Sequence, residues 1–64
     1  MMQQKMNQPP KDPFMLLSWT NMKLRDFYTS LDNLCDDLEI DGAELKETLR
    51  KIGYEYMPEE NRFR

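Results

Sequence analysis

The spacing of apolar residues along the chain predicts helices first and strands last. Through the first two thirds of the folded region, apolar side chains recur every three or four residues, the period of a helix with one packed side. Near the C-terminus they alternate with polar ones instead, as in a strand. The pattern therefore predicts a mainly α, winged-helix-like fold, with helices at about 13–28, 30–38 and 42–52 and a short β-hairpin at about 54–57 and 62–64.

Residues at the predicted helix ends agree with this division. Asp12, Ser30 and Asp41 each precede an apolar run, and their side chains are typical N-caps. Glu44 stands three residues after Asp41 and completes a capping box. Gly53 follows the third helix, where a residue in the left-handed conformation commonly ends the helix. Five residues therefore place the boundaries of the helices.

The first helix carries two apolar stripes, although a helix that packs on one neighbour needs only one. The second stripe consists of Met15, Trp19 and Met22, spaced i, i+4, i+7. The simpler interpretation is that this stripe belongs to the core and is covered by aromatic residues of the hairpin. The alternative is an exposed patch that binds a protein partner or a second copy of the chain. The main stripe comprises Phe14, Leu17, Leu24 and Tyr28, widened by Leu16 and Phe27.

The second and third helices, joined by a turn at about 39–41, match the spacing of a helix-turn-helix. Cys35 occupies the position where a small residue lets the two helices cross closely. Glu39 departs from the pattern, because this turn usually carries glycine to reach a positive φ. The core positions of the motif are filled by Leu34, Leu38, Ile40, Leu45 and Leu49, and Ala43 is expected to begin the buried face of the third helix.

The C-terminal hairpin is expected to turn over four residues, from Pro58 to Asn61, with the asparagine in the left-handed conformation. Such a loop places Tyr56 opposite Phe63 and Glu55 opposite Arg64. The first pair would lie on the core face and the second would form an ion pair on the outer face. Because an isolated hairpin is marginally stable, it must dock on the helices.

The charge distribution bears on nucleic-acid binding, the usual function of a helix-turn-helix. The net charge is −3, and residues 29–52 contain three basic against seven acidic side chains. Duplex binding depends on neutralising phosphates, so this balance opposes it. Lys46, Arg50, Arg62 and Arg64 would still form a modest basic strip if the hairpin lies beside the third helix. Weak or accessory nucleic-acid binding therefore remains an alternative function, disfavoured by the charge.

Size and composition argue against catalysis. Sixty-four residues form one domain, expected at residues 12–64 after a disordered tail at 1–11. One cysteine and no histidine exclude an internal disulfide and a Cys–His nucleophile pair, and supply too few zinc ligands. We therefore expect no catalytic residue, metal or cofactor. The longest apolar run, 14–17, is far too short for a membrane span, and a cytoplasmic location is expected.

Several runs of residues resemble a bacterial family of short stand-alone proteins, the domain of unknown function 4250. The resemblance extends from about Pro10 to Arg64 and implies a bacterial, cytoplasmic, single-domain protein. It supplies no catalytic or binding residues. The runs that carry it are Asp12–Ser18, Asn21–Asp26, Ser30–Leu38 and Ile52–Tyr56. The sequence therefore favours a non-catalytic interaction module, and self-association through the first helix is one form of it.

Overall fold

The computed structural model of the chain describes residues 9–64. It confirms three helices followed by a two-stranded antiparallel hairpin. The first helix ends two residues earlier than predicted and the third also ends two residues earlier. Most of the predicted tail at 1–11 lies outside the described residues. The elements are α1 (Pro13–Asp26), α2 (Leu31–Leu38), α3 (Gly42–Arg50), β1 (Tyr56–Met57) and β2 (Arg62–Phe63).

The three predicted N-caps are confirmed. The Asp12 carboxylate accepts the amide of Phe14 at 2.9 Å, with Pro13 as the first helical residue. The Ser30 hydroxyl accepts an amide of α2 at 3.1 Å. The Asp41 carboxylate accepts two amides of α3, at 3.0 and 3.3 Å. Each cap satisfies N–H groups that have no partner inside the helix, and so fixes where the helix begins.

Three residues with positive φ make the chain turn between elements. Glu39 ends α2 at φ 57°, Gly53 follows α3 at φ 93°, and Asn61 closes the hairpin turn at φ 54°. The left-handed conformation was predicted for the glycine and the asparagine. The α2–α3 turn thus has the backbone geometry that a glycine usually provides, even though a glutamate occupies the position.

The core is built from leucines of all three helices and one phenylalanine of the hairpin. Its members are Leu16, Leu24, Leu31, Leu34, Leu45, Leu49 and Phe63. Ala43 was expected to begin the buried face of α3, and this is wrong because it is exposed. Gly42 lies against α2 instead: a Cβ there would stand 3.4 Å from the sulfur of Cys35. The two small residues let α2 and α3 approach closely, as predicted for Cys35.

The buried face of α1 differs from the predicted main stripe. The buried residues are Leu16, Thr20 and Leu24, at i, i+4, i+8. Phe14 and Phe27, which the pattern assigned to the stripe, are 62% and 67% exposed. Phe14 lies about 200° around the helix from Leu16, at roughly 100° per residue, so it faces away from the core. Phe27 follows the last helical residue, with φ −128°, and no longer obeys the helical period.

The hairpin has the predicted register. Tyr56 is paired with Phe63, and their ring centroids are 5.4 Å apart at 52°. Glu55 and Arg64 exchange two backbone hydrogen bonds of 3.0 Å. The predicted Glu55–Arg64 ion pair is wrong, because Arg64 pairs with Glu60, which the turn brings within reach of its guanidinium.

Two asparagines attach the hairpin to α1. The Asn21 side chain donates to the carbonyl of Phe63 at 3.1 Å and accepts its amide at 2.8 Å. The Asn61 side chain donates to the carbonyls of Leu24 and Tyr28 at 3.1 and 3.0 Å, and its oxygen accepts a tyrosine hydroxyl of β1. The hairpin therefore occupies the side of α1 that carries Asn21.

Candidate functional site

The predicted second stripe of α1 is only partly covered. Met15 is 61% exposed, whereas Trp19 and Met22 are partly buried. Trp19 packs against the core, and Met22 borders a groove between α1 and the hairpin. The interpretation that the whole stripe belongs to the core is therefore wrong for Met15. The stripe therefore runs from Trp19, which packs against the core, to Met15, which is exposed to solvent.

Lys23 connects this stripe to Phe27 at the end of the helix. Its ammonium nitrogen lies 5.7 Å from the centroid of the Trp19 ring and 5.2 Å from that of Phe27. Both are cation–π distances, and the spacing of the three residues is i, i+4, i+8. Phe27 was missed as a surface residue because the helical period places it on the core face. We call Met15, Trp19, Met22, Lys23 and Phe27 the α1 edge.

The hairpin docks on the other side of the helix from most of the α1 edge, and only Met22 of the edge borders the groove beside the hairpin. Asn21, which holds β2, lies about 200° around the helix axis from Trp19, at roughly 100° per residue. Phe63, the buried aromatic residue of β2, enters the core from that side. The aromatic cover expected for the stripe is therefore directed elsewhere.

Three of the four candidate nucleic-acid contacts line two different grooves. Lys46 and Arg50 line a groove of about 330 Å³ between α3 and the hairpin. Arg62 lines a different groove, of about 620 Å³, beside Asn21 and Arg25 of α1. Among residues 9–64, Lys46 forms no ion pair. The structure thus places the two basic residues of α3 in one groove, which Arg62 does not line.

The arginines among these candidates are already paired within the chain. Arg50 contacts the Glu47 carboxylate at 2.8 Å, and Arg62 contacts Glu60 at 2.9 Å. Arg64 binds the second oxygen of Glu60. Hydrogen bonds from Arg62, and then from Arg64, hold the pKa of Glu60 below its usual value. Each guanidinium therefore has a carboxylate beside it, which reduces the positive potential it presents to a phosphate.

Cys35, the only thiol of the chain, is partly buried. Burial is the main cause that raises its pKa, and the charge of Asp32 adds to the effect. A thiol with a raised pKa holds its proton at neutral pH and is a poor nucleophile. The described residues contain no group of three or more cysteine or carboxylate side chains placed to hold a metal ion. Within the same residues, no helix has the length and apolar character to cross a membrane.

Three short helices followed by a hairpin, with a partly exposed apolar stripe along the first helix, define a class of small mainly helical domain. The chain belongs to the family described as Domain of unknown function (DUF4250), whose model matches residues 10–63. No curated protein matches the chain, and no solved structure does. The family sets the extent of the unit and adds no assigned site residue.

Proposed function

We propose that this protein is a non-catalytic interaction module that binds an amphipathic helix of a partner protein along the α1 edge. The observation that carries the proposal is the exposure of Met15 and Phe27, at 61% and 67%, on the same helix edge as Trp19. Large apolar side chains clustered on the surface of a small domain are typical of binding surfaces.

The chemistry of the α1 edge suits a helical partner. From Met15 to Phe27 the edge is about 18 Å long, at 1.5 Å per residue, which is the length of three helical turns. Methionine side chains adapt to partners of different shape. Apolar residues at i, i+4 and i+7 are the pattern by which helices dock on one another.

The energetics favour weak binding. Burying one methionine or phenylalanine side chain stabilises a complex by about 1.5–3 kcal/mol. The cost of association is about 4–15 kcal/mol. Burial of the few side chains of the α1 edge therefore leaves only a small net free energy of binding. We therefore expect dissociation constants in the micromolar range or weaker.

Photo-crosslinking in cells of the source organism tests the proposal. A photoreactive amino acid replaces Met15 in one variant and Phe14 in a matched control. The two positions are equally exposed, at 61% and 62%, and lie about 100° apart around the helix. We expect specific protein adducts from position 15 and none of these from position 14. Identical adduct patterns, or no adducts at either position, would contradict the proposal.

A further inference from the structure

We propose that the helix bound by the α1 edge is α1 of a second copy of this chain, packed antiparallel to the first. This inference rests on the proposed function, because it names the partner of the same surface.

The residues of the α1 edge are complementary to themselves in the antiparallel direction. When the two-fold axis passes between residues 20 and 21, Trp19 faces Met22 of the partner subunit. In the same register Met15 lies opposite the last helical position of the partner subunit's α1, which Phe27 of the partner subunit follows directly. Each apolar sulfur then meets an aromatic ring, a favourable contact. Symmetry repeats both contacts, giving four in the dimer.

Charge opposes the parallel alternative. In a parallel pair Lys23 would face Lys23 of the partner subunit, and like charges would be brought together at the interface. In the antiparallel register the two ammonium groups belong to positions separated by about 7.5 Å along the axis. Each of them also keeps its two aromatic rings, at 5.7 and 5.2 Å.

Charge also disfavours association of copies through α2. The α2 helix contains Asp32, Asp36 and Asp37 and no basic residue, so two copies of it repel each other. By contrast α1 contains Lys23 and Arg25 against Asp26, and the last two form an ion pair at 3.0 Å. The unbalanced charge on α1 is therefore one lysine, which already lies against aromatic rings.

The size of the chain favours a second copy as the occupant. Domains of this length bury about 60% of the surface that their unfolded chains expose, a smaller share than larger domains bury, and small domains often gain stability from disulfides, metals or oligomerisation. The sequence has one cysteine, so it forms no internal disulfide. Association through the α1 edge would bury Met15 and Phe27, the two most solvent-exposed apolar residues of that edge. A standard interface covers about 800 Å² per partner, roughly a sixth of the 4613 Å² surface, so this shorter contact gives a weak dimer.

Engineered cysteines test the direction of packing. In a Cys35→Ala background, Met22→Cys and Met15→Cys are oxidised separately at high protein concentration, and the dimer fraction is read on a non-reducing gel. Antiparallel packing separates the two position-22 residues by about 4.5 Å along the axis and the two position-15 residues by about 16.5 Å. We expect the Met22→Cys protein to crosslink at least tenfold faster. Equal crosslinking of both, or faster crosslinking through position 15, would overturn the antiparallel arrangement.

Sedimentation equilibrium over a wide concentration range tests the dimer itself. We expect Met15→Glu to raise the dimer dissociation constant at least tenfold, and Phe14→Glu to leave it unchanged. Circular dichroism checks that both variants remain folded, which their exposed positions favour. A wild-type protein that stays monomeric at millimolar concentration would overturn self-association. Adducts from position 15 to a different protein would then leave the proposed function standing, whereas the absence of any adduct would remove both.

Discussion

At the scale of single residues, Glu39 places a side chain in a conformation that favours glycine. Its φ of 57° and ψ of 49° lie in the left-handed region, where a Cβ costs about 1–2 kcal/mol. The residue is exposed, so its side chain does not compensate through burial. The strain is located at the turn that sets the angle between α2 and α3.

We expect Glu39→Gly to stabilise the fold by about 0.5–1 kcal/mol, because relief of strain exceeds the added entropy of the unfolded chain. The urea midpoint of unfolding measures the change. Gly53→Ala is the matched control: φ there is 93° and a Cβ would meet nothing within 4 Å, so only backbone strain is added. That variant should lose about 1 kcal/mol. A lower midpoint for Glu39→Gly would show that the glutamate has a stabilising contact.

Thr20 is a second residue in an unfavourable environment, because it is polar and lies on the core face of α1. It is completely buried on the core face of α1, and within residues 9–64 its hydroxyl oxygen has no hydrogen-bond partner. A buried polar group left without a partner costs about 1–3 kcal/mol.

We expect Thr20→Val to stabilise the protein by about 1 kcal/mol, since valine has the same shape without the hydroxyl. In a domain of this size that corresponds to a melting temperature about 4–8 °C higher. Thr48→Val serves as the control, because the Thr48 hydroxyl donates to the carbonyl of Glu44 at 2.9 Å. The prediction fails if Thr20→Val melts at the wild-type temperature or below it.

At the scale of elements, Asn61 joins the hairpin to the end of α1. Its amide donates to two carbonyls of the α1 region, and its oxygen accepts the Tyr56 hydroxyl at 2.7 Å. The same hydroxyl accepts the amide of Leu31 at the start of α2. One side chain thus links the hairpin turn to the carboxyl end of α1, and one tyrosine continues the network to α2.

We expect Asn61→Gly to destabilise the fold by about 2 kcal/mol. Glycine retains the positive φ of 54°, so the loss reports on the side-chain hydrogen bonds. Thermal unfolding measures the change. Asn33→Ala, which removes an exposed bond to Thr29, should alter stability by less than about 0.5 kcal/mol. Equal effects of the two substitutions would mean that Asn61 does not hold the hairpin.

Across the whole molecule, ion pairs reduce the positive potential that the basic side chains present to a phosphate. The net charge is −3, and three of the four candidate nucleic-acid contacts form ion pairs with two carboxylates, those of Glu47 and Glu60. The remaining one, Lys46, lies in a separate groove from Arg62. A duplex would therefore meet arginines that already contact carboxylates, rather than a basic patch of unpaired cations.

We expect no binding of a fluorescently labelled DNA duplex at low salt, measured by anisotropy. The double variant Glu47→Gln, Glu60→Gln releases three arginines and should show salt-dependent binding if pairing is what prevents it. Saturable binding by the wild-type protein at low salt would contradict this prediction and favour the nucleic-acid function.

Local signals in the sequence were sufficient for the helix starts and for the hairpin register. Asp12, Ser30 and Asp41 act through amides two or three residues away, so tertiary contacts are not needed to identify them. Tyr56 and Phe63 are paired by the length of one turn. The candidate surface was predicted only in part, because the period of α1 shows which residues share a side but not which side the hairpin covers.

Caps, turn residues and periodicity act within a few residues, so they were enough to predict the number, type and order of the elements. Packing between distant parts of the chain decided which parts of α1 are exposed, since that depends on where Asn21 holds β2. It also decided that Arg64 pairs with Glu60 rather than Glu55, because side chains choose partners by distance in space. The α1 edge depends on both local and long-range structure. The helical period aligns Met15, Trp19 and Met22, and the docking of the hairpin on the other side of α1 leaves Met15 exposed.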